Sequence, residues 1–286
     1  MKAGEAAPQV AYSPAGGSAT WRGWVLWGSV IGGLVALRWG LDVAAGFDLH
    51  FDEAQYWTWS LQLDWSYYSK GPLVAWLMAL STGALGHGEW QVRLPAWLAF
   101  GGFVALLSGL ARDVVAPEAK ARVGVWAACL GVTTPLFFGL GQVMTTDVWL
   151  LGAWTAALWG FFRALHRDDP RGWFVAGVAV GVGFLAKSTV LLLPAAVGVG
   201  LLATAMGRRK LAHPMPWLGA GVALLLALPV LYWNASHDWL MVRHQGGHVA
   251  PAGLSLAQWG EWLGGQVGLL SPVVVGLAVW VLGRPP

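Results

Sequence analysis

Residues 172–206 read GWFVAGVAVGVGFLAKSTVLLLPAAVGVGLLATAM, an apolar run with one charged side chain, Lys187, near its middle. As a single α-helix this run would measure about 52 Å at 1.5 Å per residue, whereas the hydrocarbon core of a bilayer is about 30 Å thick. One straight span is therefore too short to contain it. The run predicts a hairpin of two helices that turns at Lys187 and Ser188.

The whole chain shares this apolar character. Of its 286 residues, 57% are hydrophobic and 11% are charged, and the mean hydropathy is +0.58. A soluble domain of this composition would have too little polar surface to cover itself. Apolar blocks of roughly 15 to 20 residues alternate with short loops, so the sequence predicts an all-α fold, a polytopic membrane helix bundle and not a barrel. The charge of +3 comes without a basic patch among aromatic residues, so no nucleic-acid partner is expected.

The composition divides the chain into two parts. Residues 1–20 are small, polar and rich in Pro and Gly, and we expect a disordered cytoplasmic tail there. Residues 21–286 are expected to form one transmembrane module. Its nine apolar stretches are 24–47, 73–87, 94–111, 123–140, 148–165, 172–186, 189–206, 217–233 and 267–282.

Basic residues in the short loops predict the orientation. Cytoplasmic loops are enriched in Lys and Arg, and the N-terminal segment and the loops 112–122, 163–171 and 208–210 carry such residues. If all nine stretches crossed the membrane, loop 112–122 would fall outside. We therefore expect stretch 73–87 to lie in the interface or to re-enter, which leaves about eight spans plus juxtamembrane or re-entrant helices in the first outer loop.

With this orientation, several charged side chains meet on the outer face. The first outer loop, 48–93, contains FDEAQYWTWSLQLDWSYYSKGPL at residues 51–73, which starts with adjacent carboxylates and ends with a lysine before Gly-Pro. The turn of the hairpin and the last outer loop, 234–266, reach the same face. The residues expected to converge are Asp52, Glu53, Lys70, Asp147 and Lys187. Carboxylates can act as general bases, and a fixed lysine can meet a phosphate as a point charge.

Each of these side chains also has a structural interpretation. Asp147 follows two threonines at the start of an apolar stretch, where a carboxylate can cap a helix or meet its dipole. Asp52 and Glu53 can likewise begin an amphipathic helix, and Lys70 and Lys187 can reach lipid head groups. Both interpretations stay open at the level of sequence.

Two more charges, Arg38 and Asp42, lie within stretch 24–47. They are one helical turn apart, and charged residues in a membrane helix usually have a partner. We expect the two side chains to pair with each other.

The last outer loop offers candidate metal ligands. Residues 233–248 read WNASHDWLMVRHQGGH, and the glycines between His244 and His248 disfavour a helix there. Imidazole and carboxylate groups bind several divalent ions, so a divalent metal ion is one candidate cofactor, with Glu53 and His248 as ligands. Cys129, the single cysteine, lies in an apolar run, so a thiolate metal site and a disulfide framework are excluded.

Five segments carry a family resemblance. They are, in chain order, DEAQYWTWSLQLDWSYYSKGPLVAWL (52–77), GEWQVRLPAW (88–97), TTDVWLL (145–151), GVGFLAKST (181–189) and PVLYWNASHDW (229–239). Together they resemble the C-type membrane glycosyltransferases, and most of all the bacterial members related to protein O-mannosyltransferases and to the lipid A aminoarabinose transferases. Such proteins are usually longer, so the chain resembles their N-terminal membrane module.

The resemblance implies a function and a site. It implies transfer of a sugar from a polyprenyl-phosphate donor to a hydroxyl group of a lipid, glycan or protein acceptor, among the lipids of the bacterial inner membrane and on its periplasmic face. It also implies an inverting displacement with Asp52 as the catalytic base, Asp147 as a second catalytic carboxylate and Lys70 as the phosphate contact. The other residues expected to bind substrate are Glu53, Tyr56, Lys187, Arg243 and His244.

Two other classes of function fit an apolar chain with several charges. A transporter or lipid flippase also places charged groups in the membrane, but here they collect on one face and no inverted repeat is evident. A non-catalytic lipid-binding subunit would keep the lipid contacts without the chemistry. Replacement of Asp52 by Asn separates these classes, because a transferase loses turnover while it still binds lipid.

Overall fold

A computed structural model describes residues 21–247 and 256–283 of the chain. The described residues form helices joined by turns and short loops, with no strand among them, so the all-α prediction is confirmed. The predicted tail at residues 1–20 lies outside the described residues. The helices are α1 (Trp21–Ala45), α2 (Phe51–Ser60), α3 (Leu73–Leu85), α4 (Glu89–Val114), α5 (Lys120–Thr133), α6 (Pro135–Leu140), α7 (Thr146–His166), α8 (Arg171–Ala186), α9 (Leu192–Ala203), α10 (Ala205–Leu211), α11 (Pro214–Ser236), α12 (Leu240–Gly247), α13 (Leu256–Leu270) and α14 (Pro272–Leu282).

The predicted hairpin is formed by α8 and α9. A short 3-10 turn at Ser188–Leu191 joins the two helices. Beyond the far end of α9, Lys210 forms an ion pair with Asp168, which precedes α8. The chain has therefore returned to the end from which α8 started, and the predicted turn at Lys187 and Ser188 is confirmed.

Helix α8 packs closely against both α7 and α11, because glycines meet at each contact. A side chain on Gly160 of α7 would collide with the backbone of α8 at Gly172. In the same way, a side chain on Gly177 of α8 would collide with the backbone of α11 at Gly219. Small residues let membrane helices approach until their backbones touch. The three helices thus form a close-packed unit that carries the turn after α8.

Four described helices are long and apolar enough to cross a membrane, namely α1 from Val25 onward, α4, α7 and α11. Two further candidates are bent, by 114° between α9 and α10 and by 97° between α13 and α14. By length and composition alone the described residues therefore contain 4 to 6 candidate spans, compared with the predicted eight or so, and this number leaves out the shorter apolar helix α8 of 16 residues. Part of the difference comes from Pro135, which cannot continue the preceding helix and separates α5 from α6 within stretch 123–140.

The two ends of the bundle differ in charge. At one end, Lys210 pairs with Asp168, and the guanidinium of Arg167 donates to the carbonyl oxygen of Asp113. These bonds bring together the loops 112–122, 163–171 and 208–210. We call this the basic end. The opposite end, which holds α2 and the first outer loop, is the site end, and its separation from the basic loops agrees with the sequence prediction.

Helix α3 begins and ends at the site end. Its 13 residues would measure about 20 Å, less than the thickness of a bilayer core. Gly71, just before α3, lies against the last turn of α8. Near the other end of α3, the hydroxyl of Ser81 donates to the carbonyl oxygen of Gln91 in the first turn of α4, at 2.7 Å. The prediction that stretch 73–87 does not cross the bundle is confirmed.

Candidate active site

A buried arginine, Arg93 of α4, organises the site end. Its guanidinium donates to both carboxylate oxygens of Glu53, at 3.0 to 3.2 Å, and pairs with Asp42 of α1. It also donates to the carbonyl oxygens of Phe47 and Asp48, at 3.1 and 2.8 Å. A guanidinium has five N–H donors, and these acceptors satisfy it. We call Arg93, Glu53 and Asp42 the buried network, which ties together α1, α2 and α4.

The structure turns Glu53 inward, into the bundle. Its side chain is 0% exposed, and its oxygens also accept the backbone N–H groups of His50, at 2.9 Å, and Met144, at 2.8 Å. The bond from His50 belongs to a capping box at the start of α2. This environment disagrees with the prediction that Glu53 binds substrate or a metal. Neighbouring residues of a helix point about 100° apart, so Asp52 faces a different direction.

The predicted pair of Arg38 and Asp42 is not formed. Asp42 pairs with Arg93 instead, and Arg38 donates to the carbonyl oxygen of Phe138, at 3.0 Å, and to the side chain of Gln142, at 3.1 Å. The prediction is wrong because it took account of one helix only. Partners from α4 and from the segment around α6 lie closer to each charge than its neighbour one turn away.

Asp52, Tyr56 and Asp147 lie near one another. Tyr56 is one helical turn after Asp52 and is 2% exposed. Burial, and then the charges of Asp52 and Asp147, raise the pKa of Tyr56 above its ordinary value, so its phenol stays protonated. The carboxylate of Asp52 is half-buried and makes no hydrogen bond or ion pair with another residue in the described part of the chain.

Asp147 and Lys187 form an ion pair at the site end. The Oδ1 atom of Asp147 lies 2.6 Å from the Nζ atom of Lys187, and the two side chains are 35% and 27% exposed. Thr145 is the N-cap of α7, and its hydroxyl oxygen accepts the N–H of Asp147 at 3.4 Å. The capping role thus belongs to Thr145, which leaves the carboxylate of Asp147 available for Lys187.

The motif Lys70-Gly71-Pro72 has a steric explanation. A side chain on Gly71 would collide with the carbonyl oxygen of Leu185 in the last turn of α8, so only glycine allows this contact. Lys70 precedes the contact and Lys187 follows Leu185, so both lysines lie at the same end of α8. The carbonyl oxygen of Lys70 accepts the N–H of Tyr67 at 3.0 Å, which fixes the loop. The ammonium group of Lys70 has no acceptor among the residues that the structure describes.

The last outer loop packs on the first. The side chain of Gln245 in α12 donates to the carbonyl oxygen of Ser69 at 2.6 Å, and the ring of His244 lies edge-on to Tyr68, with 5.2 Å between ring centroids. His244 therefore lies against the first outer loop at Tyr68, at the site end. Arg243 is exposed on the same helix. His248 lies outside the described residues.

The family of the chain follows from its similarity to known proteins. Residues 69–233, more than half of the 286, match the family model described as dolichyl-phosphate-mannose-protein mannosyltransferase. The chain belongs to this family. The matched range includes Lys70, Arg93, Asp147 and Lys187, and it ends at the beginning of the last outer loop.

The chain is similar in sequence to several bacterial sugar transferases. The chain is 31% identical to the lipid A galacturonosyltransferase RgtD of Rhizobium johnstonii, over 83% of this chain and 50% of that protein. It is 29% identical to the lipopolysaccharide core galacturonosyltransferase RgtA of the same organism, over 74% of this chain and 43% of that protein. The undecaprenyl phosphate-alpha-4-amino-4-deoxy-L-arabinose arabinosyl transferase of Pectobacterium atrosepticum is 29% identical, over 58% and 30%. The chain thus spans half or less of the length of these relatives.

Solved structures share the fold. The apo structure of ArnT from Cupriavidus metallidurans matches with a TM-score of 0.59 and 22% identity, over 78% of this chain and 44% of that one. The structure of the same protein bound to undecaprenyl phosphate matches with a TM-score of 0.61, over 77% and 42%. The chain described here is therefore a multi-helix membrane protein with an ArnT-like fold.

Two residues of the site were not predicted from the sequence. Arg93 was not among the predicted residues, although a lone arginine in the segment GEWQVRLPAW already indicates a buried acidic partner. Tyr68 was also missed. Its hydroxyl accepts a hydrogen bond of 2.8 Å from Gln55 of α2, and its ring meets His244 of α12. Such a link between two distant loops leaves no pattern in the sequence.

The environment of Glu53 does not favour its predicted role as a metal ligand. Its carboxylate is occupied by Arg93 and by backbone N–H groups, which leaves no lone pair for an ion. Over the ranges 21–247 and 256–283, no group of three or more His, Cys, Asp and Glu side chains is placed to hold a metal. The involvement of His248 and of a divalent ion stays a prediction.

Proposed function

We propose that this chain is the membrane module of a glycosyltransferase that moves a sugar from a polyprenyl-phosphate donor to a hydroxyl group on lipid A or the lipopolysaccharide core. The names of its relatives support the acceptor class, and the undecaprenyl phosphate bound to ArnT supports the donor class. One observation of this chain carries the proposal: the carboxylate of Asp52, which has no partner among the described residues, lies at the same end of the bundle as Lys70 and Lys187.

Asp52 would act as the general base. It takes the proton of the acceptor hydroxyl while that oxygen attacks the anomeric carbon from the side opposite the phosphate. The bond from the acceptor oxygen to the anomeric carbon forms as the bond from this carbon to the phosphate oxygen breaks, with inversion. The polyprenyl phosphate leaves as an anion of low basicity, so the reaction needs positive charge at the leaving group and no general acid.

Lys70 and Lys187 would supply that positive charge. The Gly71 contact fixes the backbone next to Lys70, and the ammonium group of Lys70, which has no acceptor among the described residues, can meet a phosphate oxygen. Lys187 is held by Asp147, so this carboxylate positions the second lysine. We assign Asp147 to this positioning role and to the orientation of the acceptor.

The other predicted residues take supporting roles in the proposal. Tyr56 stays protonated and can donate a hydrogen bond beside Asp52. His244 and Arg243 reach the site through α12, where they can contact donor or acceptor. For Glu53 we replace the predicted substrate contact by a structural role in the buried network.

We place the site end on the periplasmic side of a bacterial inner membrane. The loops 112–122, 163–171 and 208–210 at the opposite end carry Lys and Arg, which favours the cytoplasmic side for them. A polyprenyl-phosphate sugar and an outer-leaflet acceptor would then meet at the site end. Labelling of introduced cysteines by a membrane-impermeant maleimide tests this orientation, with Leu61→Cys expected to react in intact spheroplasts and Arg122→Cys only after lysis.

The test of the function compares Asp52→Asn with Asp48→Asn. Both changes remove one carboxylate from the first outer loop, and Asp48 is exposed with no side-chain partner among the described residues. Transfer of a labelled sugar from a panel of polyprenyl-phosphate donors is measured in membranes, together with binding of undecaprenyl phosphate. We expect Asp52→Asn to lose about 10²- to 10⁴-fold in turnover while lipid binding and the Asp48→Asn variant keep their values.

Equal turnover in the two variants would exclude Asp52 as the base. A wild-type protein that binds the lipid but transfers no sugar from any donor would contradict the transferase proposal and favour a lipid-binding subunit. Movement of the donor lipid across vesicles, unaffected by Asp52→Asn, would favour the flippase.

A further inference from the structure

A polar cavity lies at the basic end, far from the candidate active site. It has a volume of about 400 Å³ and opens between the α7–α8 turn and the start of α11. Its charged and polar lining side chains are Asp168, Arg209, Lys210 and His213. Asp147 lies in the first turn of α7 and Asp168 follows its last residue, so the cavity and the candidate active site are separated by about the length of that helix.

The cavity has an excess of donors over acceptors. The ammonium group of Lys210 pairs with Asp168 and donates to the carbonyl oxygen of Ala164 at 3.2 Å. The guanidinium of the exposed Arg209 makes no hydrogen bond or ion pair with any residue in the described ranges. The Nδ1 atom of His213 accepts the N–H of Met215 at 3.3 Å, so its Nε2 atom carries a proton and can donate. The single carboxylate is thus already paired, and the cavity favours an anion.

An apolar groove lies next to this cavity. It has a volume of about 320 Å³, lies between α8, α9 and α11, and shares Trp173 with the polar cavity. Only apolar residues line it, and it extends along α8 as far as Val180, about two and a half turns from the start of that helix. Trp217 flanks it and donates from its indole N–H to the carbonyl oxygen of Leu211 at 2.8 Å. A head-group-sized polar cavity therefore adjoins, at Trp173, a space suited to a hydrocarbon chain.

We propose that this combined site binds an anionic diacyl phospholipid of the membrane leaflet at the basic end. The phosphodiester head group contacts Arg209, Lys210 and His213, and one acyl chain occupies the groove. Basic pockets between membrane helices bind anionic head groups in this way, and each cation near the surface adds to the attraction. The site would stabilise the hairpin of α8 and α9 against α7 and α11. It is independent of the proposed sugar transfer.

The first arm of the test measures retention of labelled phosphatidylglycerol and phosphatidylcholine by the purified protein in detergent. Arg209→Gln removes the cation of the cavity whose guanidinium has no partner in the described part of the chain, and Arg122→Gln removes an exposed cation of the same end that lies outside the cavity. We expect wild type to prefer phosphatidylglycerol, Arg209→Gln to bind it about fivefold more weakly and Arg122→Gln to bind it as wild type does. Equal weakening by both variants, or no preference between the lipids, overturns the proposal.

The second arm tests the groove. Gly198 lines it, and a side chain added there meets no atom within 4 Å, whereas Gly221 of α11 is equally open but lies outside the groove. Gly198→Leu is expected to displace the acyl chain and weaken binding, and Gly221→Leu is expected to leave it unchanged. If the two variants bind alike, the groove does not hold a chain.

Competition identifies the source of the phosphate. Glycerol phosphate without acyl chains should compete weakly, and undecaprenyl phosphate should not displace phosphatidylglycerol. Displacement by glycerol phosphate at the same concentration as the lipid would assign the cavity to a free phosphate compound, and displacement by undecaprenyl phosphate would assign it to the polyprenyl lipid. Either result overturns the diacyl assignment. Thermal unfolding of each variant confirms that the weakened proteins are folded.

Discussion

The site end contains two charged groups of residues that are close in space and opposite in character. In the buried network, Arg93, Glu53 and Asp42 are at most 8% exposed, and the guanidinium is fully bonded. The second group, which we call the open cluster, contains four residues. The carboxylate of Asp52 and the ammonium group of Lys70 have no partner among the described residues, and Asp147 and Lys187 form a partly exposed pair.

The difference shows how one loop combines stability with chemistry. A buried charge must be paired, because an unpaired one is costly in a medium of low dielectric constant. Such charges hold helices in place and are unavailable to a substrate. The open cluster can leave charges unpaired because water or a ligand reaches them. Adjacent residues of α2, Asp52 and Glu53, belong to the two different groups.

Removal of the arginine from the buried network should have the largest effect. In Arg93→Leu the carboxylates of Glu53 and Asp42 lose their cation inside the bundle, so the free energy of unfolding should fall by about 3–5 kcal/mol. Unfolding by heat or denaturant, followed by circular dichroism in detergent, measures it. Arg122→Leu, which changes an exposed arginine at the basic end, is the control and should lie within about 0.5 kcal/mol of wild type. A similar stability of both variants would mean that the network does not hold the helices.

The steric contact at Lys70-Gly71-Pro72 should have the next largest effect. Gly71→Ala forces the loop away from Leu185, which displaces Lys70 and lowers donor binding and turnover by about 30-fold, equivalent to about 2 kcal/mol. The control is Gly83→Ala, since a side chain at Gly83 of α3 meets no atom within 4 Å. Donor binding and transfer assays measure both variants. If the two alanines behave alike, the contact with α8 does not position the lysine.

Loss of one cation of the open cluster should weaken donor binding by a smaller factor. Lys70→Gln removes a charge-assisted contact to the phosphate, so affinity for undecaprenyl phosphate should fall by about tenfold, and its dependence on salt should decrease. Protein stability should not change, because the ammonium group has no partner in the described structure. Lys120→Gln at the basic end is the matched control. Unchanged affinity in Lys70→Gln would remove this lysine from the donor site.

The ion pair of Asp147 and Lys187 should contribute least to stability. Both side chains are about one third exposed, and exposed pairs contribute about 0–1 kcal/mol. A double-mutant cycle with Asp147→Asn and Lys187→Gln should give a coupling energy below about 1 kcal/mol, while transfer falls in both single variants. A coupling as large as that expected for Arg93 would place this pair in the buried network and erase the distinction between the two groups.

Length and hydropathy predicted the parts of the fold that depend on local sequence. The hairpin at Lys187 follows from a run too long for one span, and the non-crossing α3 follows from the count of basic loops. The breaks at Thr134-Pro135 and at Ser271-Pro272 were missed, although each contains a proline that cannot continue a helix. The sequence analysis gave more weight to the apolar character of stretches 123–140 and 267–282 than to their prolines. Each stretch was therefore predicted as one continuous helix.

The candidate site was predicted as a set of residues on one face, but not as a set of contacts. Asp147 and Lys187 are 40 positions apart, and their ion pair follows only from the packing of α7 on α8. Arg38 and Asp42 are one turn apart in sequence, yet each finds a different partner. Spacing along one helix predicts which charges can meet, whereas competition among all neighbouring helices decides which do.

The sequence by itself determined that the chain is an all-α membrane protein, where its hairpin turns, and which charges collect at the site end. These properties depend on hydrophobicity, helix length and loop charge, which are sums over neighbouring residues. Only the tertiary structure decided that Glu53 is buried while Asp52 stays open, and that Gly71 sets Lys70 against α8. Those outcomes depend on which surfaces of distant helices come within hydrogen-bond or van der Waals distance. Hydropathy, helix length and loop charge do not predict such contacts.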